Sequence, residues 1–192
     1  MNRRELLSAV VMLVLAAASC SKAESGKPAK APSKPAAPAT LFDAATGGRI
    51  LINAADAVKV DPPMVMVDDK TAAKGKHIWA PEGPDDKEIS IGGSATFKFD
   101  AAEPGDYILW VRANWHCSCG NSVNVAIDGA EPTAVGEDGT YQRWHWVKKI
   151  GKTFKLTQGA HTMVVGNRED GAKFDQVLLT KDKDYIPVDI EQ

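Results

Sequence analysis

The chain has 192 residues and a formal net charge of −2, which becomes −3 once Arg3, Arg4 and Glu5, together +1, are set aside as part of a removable leader. No basic block lies outside residues 21–40, which sets nucleic acid aside as a partner. No repeat of fixed period runs through the sequence, which sets aside solenoids and propellers.

The first element is "MNRRELLSAVVMLVLAAASC". Its apolar run from Leu6 to Ser19 is about 14 residues, too short to span a bilayer and of the length of an export signal. Ala17, Ala18 and Ser19 before Cys20 resemble a bacterial lipoprotein cleavage box, which implies removal of residues 1–19 and a lipid on Cys20, although Ala17 stands where a leucine is usual. An ordinary secretory signal cut near Cys20 is the alternative. The Arg3–Arg4 pair also admits twin-arginine export. Residues 20–40 follow as a tether: 21–40 hold four prolines and four lysines among alanines and no large apolar residue, too little apolar surface to offset chain entropy. Such a stretch is an extended spacer.

Residues 41–192, about 150 in all, suffice for one domain with a sound core. Apolar residues fall at alternate positions in short runs broken by Gly, Pro, Asp and Asn. "RILINAADA", "MVMVDD", "KHIWAP", "SATFKFD", "DYILWVRANW", "SVNVAIDG", "YQRWHWVKK", "KTFKL", "AHTMVVGN" and "AKFDQVLLT" predict roughly nine or ten strands, joined by turns such as "EPGD" and "TQGAH". No stretch has a helical period. The expected fold is all-β, a β-sandwich of jelly-roll topology.

The order "GDYILWVRANW", "GNSVNVAIDG", "YQRWHWVKK" and above all "GAHTMVVGNREDGAKFDQVLLT" resembles the galactose-binding-like β-sandwiches, close to carbohydrate-binding module families six and thirty-five, over most of Ile50 to Pro187. The resemblance implies a structural calcium between acidic residues on the first strand and an aspartate on the last. Asn53 and Ala55 stand where related domains tend to carry glutamates, which leaves a weak set of Asn53, Asp56 and Asp175 for an ion that wants six to eight oxygens. A tight calcium site is not expected. Arg168, Glu169 and Asp170 read as a solvated corner, too close together on one turn to flank a substrate as an acid and base.

Ligand contacts in such domains come from aromatic and amide side chains on loops at one end or on one sheet face, because sugar C–H faces stack on rings while hydroxyls need planar polar partners. The resemblance brings the strand ends together, so Trp115, Asn121, Tyr141, Arg143 and Trp144 are the expected cluster, with Trp115 the most exposed. Trp144 and Trp146 are two apart and share a strand face. The alternative is that Trp110, Trp144 and Trp146 fill the core.

"NWHCSCGN" admits several readings. His116, Cys117 and Cys119, with His145 as a fourth ligand, suit zinc or copper by softness, but the one-residue spacing of the cysteines is tighter than structural zinc sites use. A catalytic thiol lacks a base and an orienting group nearby. A Cys117–Cys119 disulfide is the plainest outcome for an exported protein, pinning the loop with Gly120 free to take a positive φ; a pair of buried free thiols is the other. The expectation is a non-catalytic, glycan-binding lipoprotein of the bacterial cell envelope, its partners a carbohydrate or another envelope component and, through Cys20, a membrane. A periplasmic metal or redox protein centred on the His-Cys-Ser-Cys loop is the rival, and an interaction module without a small ligand is the third reading.

Overall fold

The computed structural model describes residues 48–82 and 92–192. The expected signal, Cys20 and the tether lie outside the described residues. Among the described residues twelve strands follow one another: β1 (Arg49–Asn53), β2 (Lys59–Asp61), β3 (Val65–Asp68), β4 (Lys76–Trp79), β5 (Ser94–Ala101), β6 (Gly105–Asn114), β7 (Ser122–Ile127), β8 (Thr133–Gly136), β9 (His145–Lys148), β10 (Phe154–Leu156), β11 (Gly159–Asn167) and β12 (Lys173–Thr180). Single 3-10 turns at Ala54–Asp56 and Ala73–Gly75 are the helical pieces among the described residues.

The strands form two antiparallel sheets that face each other as a jelly-roll sandwich. One runs β2-β5-β11-β7-β8; the other runs β10-β6-β12-β4-β3, with β1 also on β12 and β9 also on β6. The expected strands are all present. The two that sequence reading missed, β2 and β8, are three and four residues long and form the two edges of the five-stranded sheet. Neither contains enough alternating positions to register as a period.

Alternation decides what is buried. In β5 Phe97, Phe99 and Ala101 face inward while Lys98 and Asp100 face water. In β6 Tyr107, Leu109, Val111 and Ala113 point into the sandwich and meet Phe174, Val177 and Leu179 of β12 and Met163 and Val165 of β11 in one cluster. A bulge between Phe174 and Gln176 inserts an extra residue into β12. Phe174 and Val177 are thus both core residues although three apart, and Asp175 and Gln176 fall outside that apolar cluster.

The outer face of the seven-stranded sheet is covered in two places. At one, the loop after β3 lies on it: the Ala73 N–H donates to Asp175 Oδ2 at 2.6 Å and Trp144 Nε1 to Thr71 Oγ1 at 3.0 Å. At the other, the C-terminal segment is strapped across. Gln176 gives and takes hydrogen bonds with the main chain of Glu191, at 2.9 and 3.0 Å, and Trp146 Nε1 donates to Asp189 O at 2.9 Å.

Candidate functional site

The His-Cys-Ser-Cys segment closes a tight turn between β6 and β7. His116 N–H donates to Gly120 O at 3.1 Å and Gly120 N–H to Cys117 O at 3.3 Å. Cys117 and Cys119 are joined as a disulfide with Cα atoms 5.3 Å apart. Gly120 is not in the left-handed region, contrary to expectation. What the position requires is closeness: a Cβ there would stand 2.2 Å from the carbonyl oxygen of Asp170.

That approach joins the turn to the β11–β12 corner. Glu169 accepts from the Asn121 N–H at 3.0 Å and the Ser122 hydroxyl at 2.7 Å, while Arg168 pairs with Glu169 at 2.9 Å and with Glu137 at 2.7 Å. Gly171 N–H donates to Ala80 O at 2.8 Å. The Arg168–Asp170 corner was expected to be merely solvated. Glu169 instead braces two loops, because a carboxylate can accept from several donors at once.

Trp115 corrects the sequence reading most directly. It was expected to be the most exposed tryptophan, and it is fully buried in the core cluster. It continues the inward parity of Val111 and Ala113 for one residue past the end of β6. The expected meeting of chain segments does occur, since Trp115 O accepts from Gln142 N–H at 2.8 Å. The main chain before β9 therefore runs beside Trp115 while its indole faces away from any ligand. Asn121 is likewise buried, with its main chain committed to Glu169 and Glu137. Tyr141 and Arg143 are exposed and Trp144 is half-buried.

Strand register assembles a different set. Lys173 of β12 lies between Trp79 of β4 and Asn114 of β6, and because Ala113 pairs with His145, Trp144 comes next along the same row. Lys173 Nζ sits 4.9 Å from the centre of the Trp79 ring, and the Arg112 guanidinium carbon 5.0 Å from that of Trp144. One step further in, His77 has its ring 6.2 Å from Trp79 and 6.0 Å from Trp144, edge-on to both. Trp79, Lys173 and Asn114 escaped sequence analysis. The signal was the parity of "KHIW", which sets His77 and Trp79 on one face just before Pro81.

The floor of this row is electrostatically unusual. Asp175 is fully buried, and burial raises its carboxyl to about 6 against the opposing pull of the Ala73 N–H and Arg112, which contacts Asp175 Oδ2. Among the described residues its Oδ1 has no hydrogen-bond partner. Burial also pushes His77 below the usual histidine range. Asp69 Oδ2 lies 3.2 Å from His77 Nδ1 and opposes that shift, but without hydrogen-bonding geometry.

Neither metal set has the arrangement a cation needs. In the calcium set, Asn53 Oδ1 accepts from Gln176 at 3.0 Å, Asn53 Nδ2 donates to Asp56 at 3.0 Å, Lys74 Nζ sits 3.0 Å from that same carboxylate, and Asp175 is held by Arg112. Donors and an ammonium stand where a calcium ion would need oxygens. In the zinc or copper set both thiols are used in the disulfide. His116 Nε2 turns to Glu82 at 3.3 Å and His145 Nε2 to Asp138 at 2.8 Å, so the four do not converge. Glu82, Cys117 and Cys119 do bring ligand atoms within 4.8 Å of one another, but a disulfide sulfur is not a thiolate. His145 and His161 each bond an aspartate through one ring nitrogen and a main-chain carbonyl through the other, so both rings are held by partners within the chain.

No family model matches the chain. The uncharacterized protein P23 of Formosa agariphila is 27% identical over 113 residues, covering 49% of this chain and 26% of its own length. The chain thus spans about a quarter of that curated relative. Among solved structures, a family 35 carbohydrate binding module from Clostridium thermocellum superposes with a TM-score of 0.53 at 14% identity, over 68% of this chain and 96% of the module. A carbohydrate binding module of lichenase 5A from Cellvibrio mixtus, in complex with cellotriose, gives 0.51 at 17% identity, over 69% and 96%. An exo-beta-1,3-galactanase from Phanerochaete chrysosporium, bound to beta-1,3-galactotriose, gives 0.53 at 14%, with 69% of this chain matching 29% of that enzyme. The chain has the galactose-binding-like β-sandwich fold of carbohydrate-binding modules of families six and thirty-five.

Proposed function

We propose that the domain is a non-catalytic glycan-binding module, held at a bacterial cell envelope by a lipid on Cys20. The observation that carries the glycan reading is the row of Trp79, Lys173, Asn114 and Trp144 at the loop-bearing end of the seven-stranded sheet. Two indoles offer stacking faces for the C–H surface of a sugar ring, and an amide and an ammonium between them are the right donors for its hydroxyls. Tyr141 and Arg143, exposed on the preceding loop, extend the row. The match to a module whose structure holds cellotriose supports the same reading.

A glycan array read with the full chain and with Trp79→Ala, Trp144→Ala and Tyr141→Ala tests it. Retained glycans should bind at least about tenfold more weakly to the Trp79 and Trp144 variants, a loss of ~1.4 kcal/mol. Unchanged binding in both, with an unaltered melting temperature, would remove the row from the ligand site. For the anchor, the native protein should partition into the detergent phase, and residues 20–192 carrying Cys20→Ser and made without the leader into the aqueous phase.

A further inference from the structure

A second surface lies away from the glycan row, in the loop from β9 to β10. Between Asp138 and Glu169 the sequence carries no acidic residue, while Lys148, Lys149, Lys152 and Lys155 fall within it. Among the described residues none of these four lysines is ion-paired, whereas Lys59, Lys74, Lys76 and Lys181 each pair with a carboxylate. Lys148 lies with its ammonium 5.4 Å from the Trp110 ring and Lys152 with its ammonium 5.2 Å from that of Phe154, so their stems follow apolar surface. Between them stands Ile150, 81% exposed, which is the most exposed large apolar side chain among the described residues. Ile108, Lys148, Lys149, Ile150 and Lys152 line an open concavity of about 580 Å³.

We infer that this loop is a membrane-docking element that seats on an anionic phospholipid surface. An isoleucine offered to water among unpaired lysines matches an interface in which the aliphatic tip enters the acyl boundary while ammonium groups meet headgroup phosphates. A soluble polyanion would use the lysines and leave Ile150 in water. Chain geometry agrees. Arg49, where β1 begins, pairs with Thr180, and Thr180 pairs with Ile108, so the chain enters the domain at the end of the sheet that carries this loop. The glycan row starts at Asn114, six residues further along β6, about 20 Å away at strand rise. A domain seated on Ile150 therefore keeps that row free. The inference stands without the glycan reading and adds a protein-borne contact to the lipid anchor.

The test is vesicle sedimentation of the mature chain, residues 20–192, carrying Cys20→Ser, so that neither an acyl group nor the apolar leader contributes. Vesicles of phosphatidylglycerol are compared with vesicles of phosphatidylcholine alone, and the lysines of residues 21–40 are present in every protein. Expected are binding to the anionic vesicles only, a drop of at least about tenfold in the Lys149→Glu/Lys152→Glu double variant, and a several-fold drop in Ile150→Ser. Binding to phosphatidylglycerol that neither variant alters overturns the proposal, as does no binding. A loss in the charge variant with none in Ile150→Ser, and equal competition by dextran sulfate, also overturns it and assigns the loop to a soluble polyanion. Glycan binding and melting temperature unchanged in both variants confirm that only the loop was altered.

Discussion

The buried pair of Arg112 and Asp175 lies directly beneath Trp144 and gives a prediction whose sign depends on pH. The two side chains are 8% and 0% exposed. The Asp175 carboxyl is raised from 3.8 to about 6, chiefly by burial. For an acid raised in this way the folded protein holds the extra proton between those two values, so the contribution of Asp175 to stability is greatest below pH 3.8 and declines as pH climbs towards 6. The rise corresponds to about 3 kcal/mol. Arg112→Met removes the cation that opposes this shift and leaves a buried carboxylate uncompensated at neutral pH. Breaking a buried pair from one side costs ~3–5 kcal/mol. At about pH 4.5 Asp175 is protonated in the folded state of both proteins, and what is left is lost packing against Trp144, about 1–2 kcal/mol. Urea denaturation of both proteins at about pH 4.5 and 7.5 reads the difference directly, because titrations common to the two cancel. The penalty should shrink by ~2 kcal/mol or more at the lower pH, and Asp175→Asn in the Arg112→Met background should abolish the change. A penalty of equal size at both pH values would refute the reasoning, since it would mean that Asp175 does not titrate in that window.

Two further substitutions separate packing from binding. Trp115→Ala should destabilise the fold by ~3–5 kcal/mol, as a large-to-small change at a fully buried ring, and should leave glycan affinity of the folded fraction intact; denaturant melts and affinity electrophoresis on the same samples check both halves. Gly120→Ala should cost ~1–3 kcal/mol, because its Cβ meets main-chain carbonyl rather than a flexible side chain. Gly166→Ala, with its nearest neighbour at 3.8 Å, serves as the control that should melt within a degree or two of the parent.

The alternation of apolar residues made the sandwich legible because each long strand has one buried face and one wetter one, and "SATFKFDA" in β5 shows that pattern in full. The same rule, carried one residue past β6, would have placed Trp115 inside. The polar run "HCSCGN" suggested that the strand had already given way to a surface loop, although Trp115 keeps the inward parity. Trp79 was overlooked for a different reason: it ends a four-residue strand too short to show a period, and only pairing with Lys173 brings it beside Asn114 and Trp144. That pairing is antiparallel contact between β4 and β12, nearly a hundred residues apart, and nothing local encodes it. The Glu169 brace was hidden likewise, since an acidic corner residue reads as solvated until the loop it holds is known.

The two covers on the seven-stranded sheet decide where a ligand can sit. A broad open sheet face is one of the places where a sandwich of this kind can hold sugar, and the outer face here begins with the residues for it, including Trp110, Trp146 and Gln176. Gln176, however, is wholly buried on the central strand β12, and its amide is committed on both sides: its nitrogen donates to Asn53 Oδ1 and Glu191 O, and its oxygen accepts from Glu191 N–H. Opening that face would give up both Glu191 bonds to the Gln176 amide, at a net cost of about 0.5–1.5 kcal/mol each. Glu191 raises that cost further, because its carboxylate also accepts from the Tyr185 hydroxyl at 2.7 Å and the Val188 N–H at 3.1 Å, with Arg49 at 3.5 Å. The C-terminal segment is thereby part of the sheet's own hydrogen-bond inventory and not a removable lid. With the Ala73 turn closed over Asp175 in the same manner, the aromatic surface left to a ligand is the row from Trp79 to Trp144 at the loop end. A glycan reading centred there follows from what the rest of the sheet has already used.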